Sequence, residues 1–506
     1  MAHDGFTPPQ PRTETRRRRN RRIVAAAAVV VLVLAAGIGW YARGWALAAR
    51  VHCGSGWWVD PDQVDHEYVE RCIGISDSST FGNERLRDAV DLIGEQNALA
   101  TGDPDRSAVT VAVLIPVPRP DQEFSPASQD QVAALAEGAA KAQEHLNAAR
   151  SGPALRVVLA NEGSGEQGWQ AVTGQLVRMK DDRHPLVAVT GLGVSVVETL
   201  QGARALDRAE LPMVGAVLTA NGLDATGQVE GVDSTVSGGG RIEGLFRASP
   251  SNGAEAQKLD EYLDAAQPGG EYALVRDANR ADFYTYGLAN SLRDAFTGKV
   301  QQGPPVVFGG DSDPGSIRNQ LNLVARQVCG RGGLLYGGRA SLLPDFLERV
   351  SELECGSGLT VVTGSDAAGL RPAEVPEGVK VVYAALADPD ALRASPDPLG
   401  QNYREFEGSF LRDFPKADLA NGWAIMEYDA MLAAGTAITN ATGGKLTGAP
   451  PSSRSVLNSL RQLGPDNEVT GAGGLFWFDA ETGEPRNHPV HVVEVSEGQR
   501  RPVSAN

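Results

Sequence analysis

The chain is poor in the residues that most often mark chemistry. Cysteine occurs four times in 506 residues and histidine seven times, and no CxxC pair exists, so a thiolate zinc site has no ligand spacing to rest on. GxSxG, HExxH and a complete Walker A sequence are absent. Gly443-Gly444-Lys445-Leu446 fails as a phosphate loop because Leu446 stands where a Ser or Thr is needed. His488 and His491 could share a strand edge, and they read as a surface pair rather than a ligand set. No tandem repeat of fixed period occurs. The sequence therefore supports neither an enzyme nor a metal or other cofactor.

Basic residues are also scarce, except at one end. Residues 1–50 hold nine Arg and no Lys against Asp4 and Glu14, a balance of +7 that leaves −24 on the rest of a chain whose net charge is −17. An acidic body of that size repels phosphate backbones and excludes nucleic acid as a partner. Charge-free apolar runs are equally rare, and the long one, Ile23 to Ala42, follows an arginine cluster at Arg16–Arg19, Arg21 and Arg22. Its twenty residues make about 30 Å of helix, enough to cross a bilayer, with the arginines on the cytoplasmic side. Trp40, Tyr41 and Trp45 suit the outer interface. The run reads as an uncleaved anchor at the cell membrane. A signal peptide cleaved near Ala46-Leu47-Ala48 is the competing reading, against which the length of the run counts. The Arg-Val-His before Cys53 is not a lipidation box.

What is present is the composition of a folded protein, 42% apolar and 22% charged, in a chain too long for one core. Outside the membrane, two local disulfides, Cys53 with Cys72 and Cys329 with Cys355, are the simplest of the three pairings. Leu86, Val90 and Ile93 mark a helix face, with Asn83, Glu84 and Asp88 at its N-terminus. Residues 100–107 read as a linker, and the main body is expected from Ala108.

From there, short apolar runs alternate with helical segments. The runs are Val109–Val117, Leu155–Asn161, Leu186–Gly191, Pro212–Val217, Glu271–Arg276, Val306–Gly309, Gly333–Tyr336, Leu359–Thr363 and Val379–Ala385. Helical segments include Gln129–Ala149, Gly168–Lys180, Asn252–Ala266 and Gly287–Phe296. Continuous apolar strands alternating with helices imply parallel sheets covered on both faces, with ligands beyond the carboxyl ends of the strands. Residues 222–244, with seven glycines, read as a flexible surface insertion.

The order of these segments resembles the type I periplasmic binding fold, in its leucine/isoleucine/valine-binding branch of receptors for ABC transporters. The likeness covers roughly 390 residues and rests on order rather than on one motif. LVAVTGLGVSVVETLQGA (186–203) resembles the family's strand, glycine loop and hydroxyl-bearing helix start, and LPMVGAVLTANGL (211–223) its next strand and ligand loop. GLFRASPSN (244–252) resembles the first crossing between lobes, EYALVRD and FYTYGLANSLRDAF (271–296) the opening of the second lobe, and LTVVTGSDAAG (359–369) a ligand loop of that lobe. GWAIMEYDAMLAAGTAI (422–438) resembles the long C-terminal helix, and TGAGGLFWFDAETGEP (470–485) the closing hairpin, where Asp479 to Gly483 supplies turn chemistry.

The resemblance implies an α/β clamshell with a basic cytoplasmic tail (1–22), a transmembrane anchor (23–45) and a disulfide-containing segment with linker (46–107). Lobe 1 would span 108–248 and 386–473, and lobe 2 would span 249–385 and 474–506. It implies crossings near Arg247–Ser251, Tyr383–Leu386 and Gly473–Phe476. Ser195 and Thr219 match hydroxyls that hold an amino acid's carboxylate, with backbone amides near Gly193 and Val217 completing that half. Tyr284 and Asp366 match second-lobe positions that hold the α-ammonium, with Phe283 and Tyr286 competing for the tyrosine's place. The loop VPRPDQEFSPASQDQ (117–131) departs from the family's glycine-rich string, and Phe124 is its candidate pocket residue. The implied function is capture of a small amino-acid-like ligand for an ABC permease. A sensor built on the same clamshell is the alternative, and an undetected hydrolase the remaining class.

Overall fold

The computed structural model describes residues 73–118, 122, 124–231, 239–310 and 314–503. The expected membrane span and the Cys53–Cys72 pair lie outside them. Among the described residues no helix is long and apolar enough to cross a membrane.

The apolar runs become the strands of two sheets. The first contains β1 (Gly74–Ser76), β2 (Ala108–Ile115), β3 (Ala154–Asn161), β4 (Leu186–Gly191), β5 (Met213–Gly215) and β6 (Leu245–Arg247), in the order β1-β3-β2-β4-β5-β6. All its pairs are parallel except β1 with β3. Every residue of β2 is buried. Val109, Val111, Val113 and Ile115 enter one core cluster, while Ala112 and Leu114 enter another on the opposite face. Both faces are covered, which is why the run has no polar alternation.

The second sheet contains β7 (Ala273–Asp277), β8 (Val306–Phe308), β9 (Gly333–Gly337), β10 (Leu359–Thr363) and β11 (Val379–Ala385), all parallel. After β12 (Val469–Thr470), β13 (Leu475–Phe478) and β14 (Pro485–Arg486), which form a small sheet of their own, β15 (His491–Ser496) and β16 (Gln499–Val503) add an antiparallel edge to β11. Val361 and Val381 face one cluster and Val362 and Val382 the other. The architecture is thus a two-lobed α/β fold whose sheets are mixed and mostly parallel.

Helix Gln129–Ala149 starts at a capping box in which Ser128 and Gln131 satisfy each other's backbone N–H. It packs against helix Trp423–Thr442 so closely that a Cβ on Gly138 would lie 2.2 Å from the Ala424 carbonyl oxygen. That contact requires glycine.

The structure departs from the sequence reading in several places. Strand β1 pairs with β3, and helix Arg87–Gly102 buries Ala89, Val90 and Ile93 in the first core. The folded body therefore includes residues ahead of Ala108, and the segment read as a linker is partly helix. Helix Phe283–Ala295 begins four residues before the expected Gly287, because the Asp282 side chain caps it at Thr285 N, 3.2 Å away. The expectation puts a crossing near Gly473–Phe476, yet Phe476 and Phe478 pack in the first core, and the chain joins the second sheet at His491.

Residues 222–231 are not a free surface insertion. Glu230 accepts from Asn221 at 3.2 Å and from Asn290 at 2.9 Å, which ties this stretch to helix Phe283–Ala295. The His488 side chain is fully buried, 3.6 Å from Asp429, and burial lowers the His491 pKa to about 4.

Cys329 and Cys355 form a disulfide that closes a separation of 26 residues between helix Pro314–Val328 and the turn before β10. Replacing both by serine is expected to lower the unfolding free energy by roughly 3 kcal/mol through the freed unfolded chain. Urea titration of the oxidised protein and of the variant checks this.

Candidate functional site

Two glutamates and a glycine shape the first-lobe wall. Leu192 (φ 63°) and Gly193 (φ 57°) both take the left-handed conformation after β4, turning the chain so that Val194 and Ser195 face the second lobe. A Cβ on Gly193 would sit 1.9 Å from the Glu166 carboxyl oxygen. Glu166, fully buried, accepts from Val194 N at 2.8 Å and from the Thr199 hydroxyl. Burial pushes its pKa up to about 8, and burial together with Glu166 raises the neighbouring Glu162 as well. The loop after β5 supplies Val217 and Thr219. Ser195 Oγ accepts from Ala220 N at 3.4 Å, which joins the two loops.

The second-lobe wall comes from three loops. Asp282 and Tyr284 stand at the start of helix Phe283–Ala295, Arg339 follows β9, and Ser365 and Asp366 follow β10. Tyr284 Oη accepts from Asp366 N at 3.0 Å. Ser365 N and Oγ both donate to Glu255 at 2.9 Å; burial raises that carboxyl to about 8.

Arg339 dominates the centre. Its Nε and Nη2 donate to the two oxygens of Asp282 at 2.7 and 3.0 Å, and its guanidinium lies 4.7 Å from the Tyr284 ring centroid. Nη1 reaches Pro126 O of the first lobe at 3.4 Å and stands 3.9 Å from Asp366. Burial opposes the charge, but Asp282 and Asp366 outweigh it and hold the guanidinium above its ordinary range. Asp366 accepts from Ala340 N at 2.9 Å; its own pKa is raised by burial, with Arg339 pulling it back.

Ser195, Val217, Thr219, Tyr284 and Asp366 line one cavity of about 20 Å3, together with Val194, Arg339, Ser365, Leu386 and Trp423. That is room for about one water molecule. Gly193 shapes the wall without lining it. Phe283 packs into the first lobe's core and Tyr286 lies against Gly231, so of the three aromatic candidates Tyr284 is the one at the cavity. Phe124 packs on the second lobe's core instead. A larger cavity of about 490 Å3, which shares Asp366, opens between the loop holding Ser125 to Gln131 and the segment at Ala340 and Ser341.

The resemblance gives Asp366 a ligand ammonium as partner; the structure puts Arg339 there. Arg339 and Asp282 were not singled out from the sequence. The rule that ligands sit beyond strand ends reaches Arg339, two residues past β9, but only the packed structure supplies its partner 57 residues away. Thr219 Oγ1 is buried with no hydrogen-bond partner among the described residues, and it lines the cavity.

No family model matches the sequence, and no curated protein matches it. Solved structures do. An ABC transporter substrate-binding protein from Desulfitobacterium hafniense is 20% identical, with a TM-score of 0.56 over 78% of this chain and 100% of that one. A branched-chain amino acid transporter substrate-binding protein from Streptococcus pneumoniae, in complex with isoleucine, is 14% identical, with a TM-score of 0.58 over 78% and 99%. The solute-binding protein of an ABC transporter from Rhodopseudomonas palustris, in complex with 3,4-dihydroxybenzoic acid, is 13% identical, with a TM-score of 0.54 over 78% and 96%. At these identities the likeness is one of fold.

Glu166 and Glu255 both bind a proton more tightly folded than unfolded. The stability they contribute is complete below their ordinary pKa of 4.5 and is lost as the pH rises through about 8. The unfolding free energy should therefore fall across that window by up to roughly 1.4 kcal/mol per pH unit for each group. Glu166→Gln, which keeps the neutral shape, should flatten part of that slope in denaturation curves taken from pH 4.5 to pH 8.

Proposed function

We propose that the chain is an extracytoplasmic solute-binding receptor that closes two α/β lobes on a small ligand and delivers it to an ABC permease. A single-pass anchor at residues 23–45 would hold it at the cell membrane with the lobes outside. The observation that carries this reading is one small cavity lined by strand-end loops from both sheets, with the buried Thr219 hydroxyl facing it unpartnered among the described residues. A buried hydroxyl without a partner costs about 1–3 kcal/mol, and a bound ligand oxygen would recover it. Ser195 and Thr219 suit the carboxylate end of a ligand, as the sequence resemblance implies. The neighbours in fold are substrate-binding proteins of ABC transporters, whose own ligands include isoleucine and 3,4-dihydroxybenzoic acid.

The mechanism is a hinge. The chain crosses between lobes after β6, after β11 and before β15. A solute that touches both walls favours the closed form only through its differential affinity for it. Because the cavity is so small, admission requires the lobes to part.

In a thermal-shift screen of the full-length chain in detergent against amino acids, organic acids, amides and sugars, at least one solute should raise the midpoint. At about one hundred times its dissociation constant it would stabilise by roughly 2.7 kcal/mol. A flat response across all four classes would remove the receptor reading.

A further inference from the structure

The cation subsite of this cleft is filled by the protein itself. The guanidinium of Arg339 lies where the resemblance places a ligand ammonium, over the Tyr284 ring and beside Asp366, and its salt bridge with Asp282 is bidentate. All four side chains are at least nine-tenths buried. We infer that the solute is a small carboxylic acid lacking an α-ammonium group, and that Arg339 is the residue that sets this preference. The inference rests on the receptor reading and names its ligand class.

Two observations carry it independently. The first is exclusion. Asp282 is paired with Arg339, and the remaining carboxylate, Asp366, already takes Ala340 N and stands 3.9 Å from the same guanidinium, so a second cation would have to share it with a fixed positive charge, a deficit of free negative charge. Burial, which pushes Asp366 toward its neutral form, deepens that deficit.

The second observation is the surplus of donors. A guanidinium has five N–H groups, and Asp282 and Pro126 occupy three of those on Arg339, leaving two for an acceptor. On the facing wall, Ser195 Oγ accepts from Ala220 N, so its own proton remains to be donated, and Thr219 Oγ1 has no partner among the described residues. These three residues line the same cavity from opposite lobes. An arginine N–H pair facing two hydroxyls matches the two oxygens of a carboxylate. The larger cavity next to Asp366 would then take the body of the acid.

The test uses pairs of compounds that differ only at the ammonium: 4-methylpentanoate with leucine, and 3-phenylpropanoate with phenylalanine. They are titrated calorimetrically into the full-length chain in detergent. The acid of at least one pair should bind at least about tenfold more tightly than its amino acid. Arg339→Met should weaken that acid by about tenfold or more and narrow or reverse the preference. Thr219→Val, which removes only an unpartnered hydroxyl, should weaken the acid while leaving the unliganded midpoint unchanged or higher, and it carries the test if Arg339→Met does not fold.

Amino acids binding as tightly as their matched acids would overturn the ligand class and leave the receptor reading intact. Acid binding undiminished in Thr219→Val would overturn the assigned site. Failure of both acids while a sugar or amide binds would likewise overturn the class alone. Failure of every solute would remove the receptor reading together with it.

Discussion

The seam between the lobes is made of backbone. Ser195 O, at the start of a first-lobe helix, accepts from Phe283 N at 3.0 Å and from Tyr284 N at 3.2 Å, which are the first free amides of a second-lobe helix. Val197 N donates to Ala281 O at 3.1 Å, and Val196 and Asp282 form an isolated bridge. Helix N-termini leave amides without partners, and here each lobe completes the other's. Everything at the cleft follows from this contact. It brings Asp282 and Tyr284 under the Ser195 loop, Asp282 then seats Arg339, and Arg339 reaches back to Pro126.

Behind the walls lies an unusual amount of buried acid. Glu162, Glu166, Glu255, Glu427 and Asp429 are all fully buried, and burial raises the pKa of each. Several of them brace loop amides: Glu166 holds Val194 N, Glu255 holds Ser365 N, and Asp429 holds Ala472 N and Gly473 N. A carboxyl that accepts from a loop amide inside a dry core fixes that loop more firmly than a solvent-exposed partner would. The cleft-facing groups are thus supported by acids that do not themselves line the small cavity.

Much of the fold was legible in the sequence because the strands are buried on both faces. Runs such as Leu186–Gly191, Leu359–Thr363 and Val379–Ala385 emerge with the ends read for them, and Gln129–Ala149 and Asn252–Ala266 keep both helix ends because Ser128 and Ser251 cap them. Five of the six cleft positions drawn from the resemblance line one cavity, since each follows a strand end. What stayed hidden depends on partners distant in sequence. An arginine after two glycines reads as an exposed loop residue until Asp282 arrives beside it, and the glycine-rich composition of 222–244 concealed the grip of Glu230 on Asn290. Phe476 sits in a stretch that resembles a closing hairpin, and only packing assigns it to the first core.

Strand β1 occupies the outer edge of the first sheet, five positions from β6, where the chain first leaves for the other lobe. Whatever pulls on the polypeptide ahead of residue 73 therefore acts on the first lobe through the β1–β3 pairing. The second lobe is joined to it by the crossings and by the seam contacts. In mechanical language, if the lobes open as proposed, the first lobe would be the stator and the second the rotor.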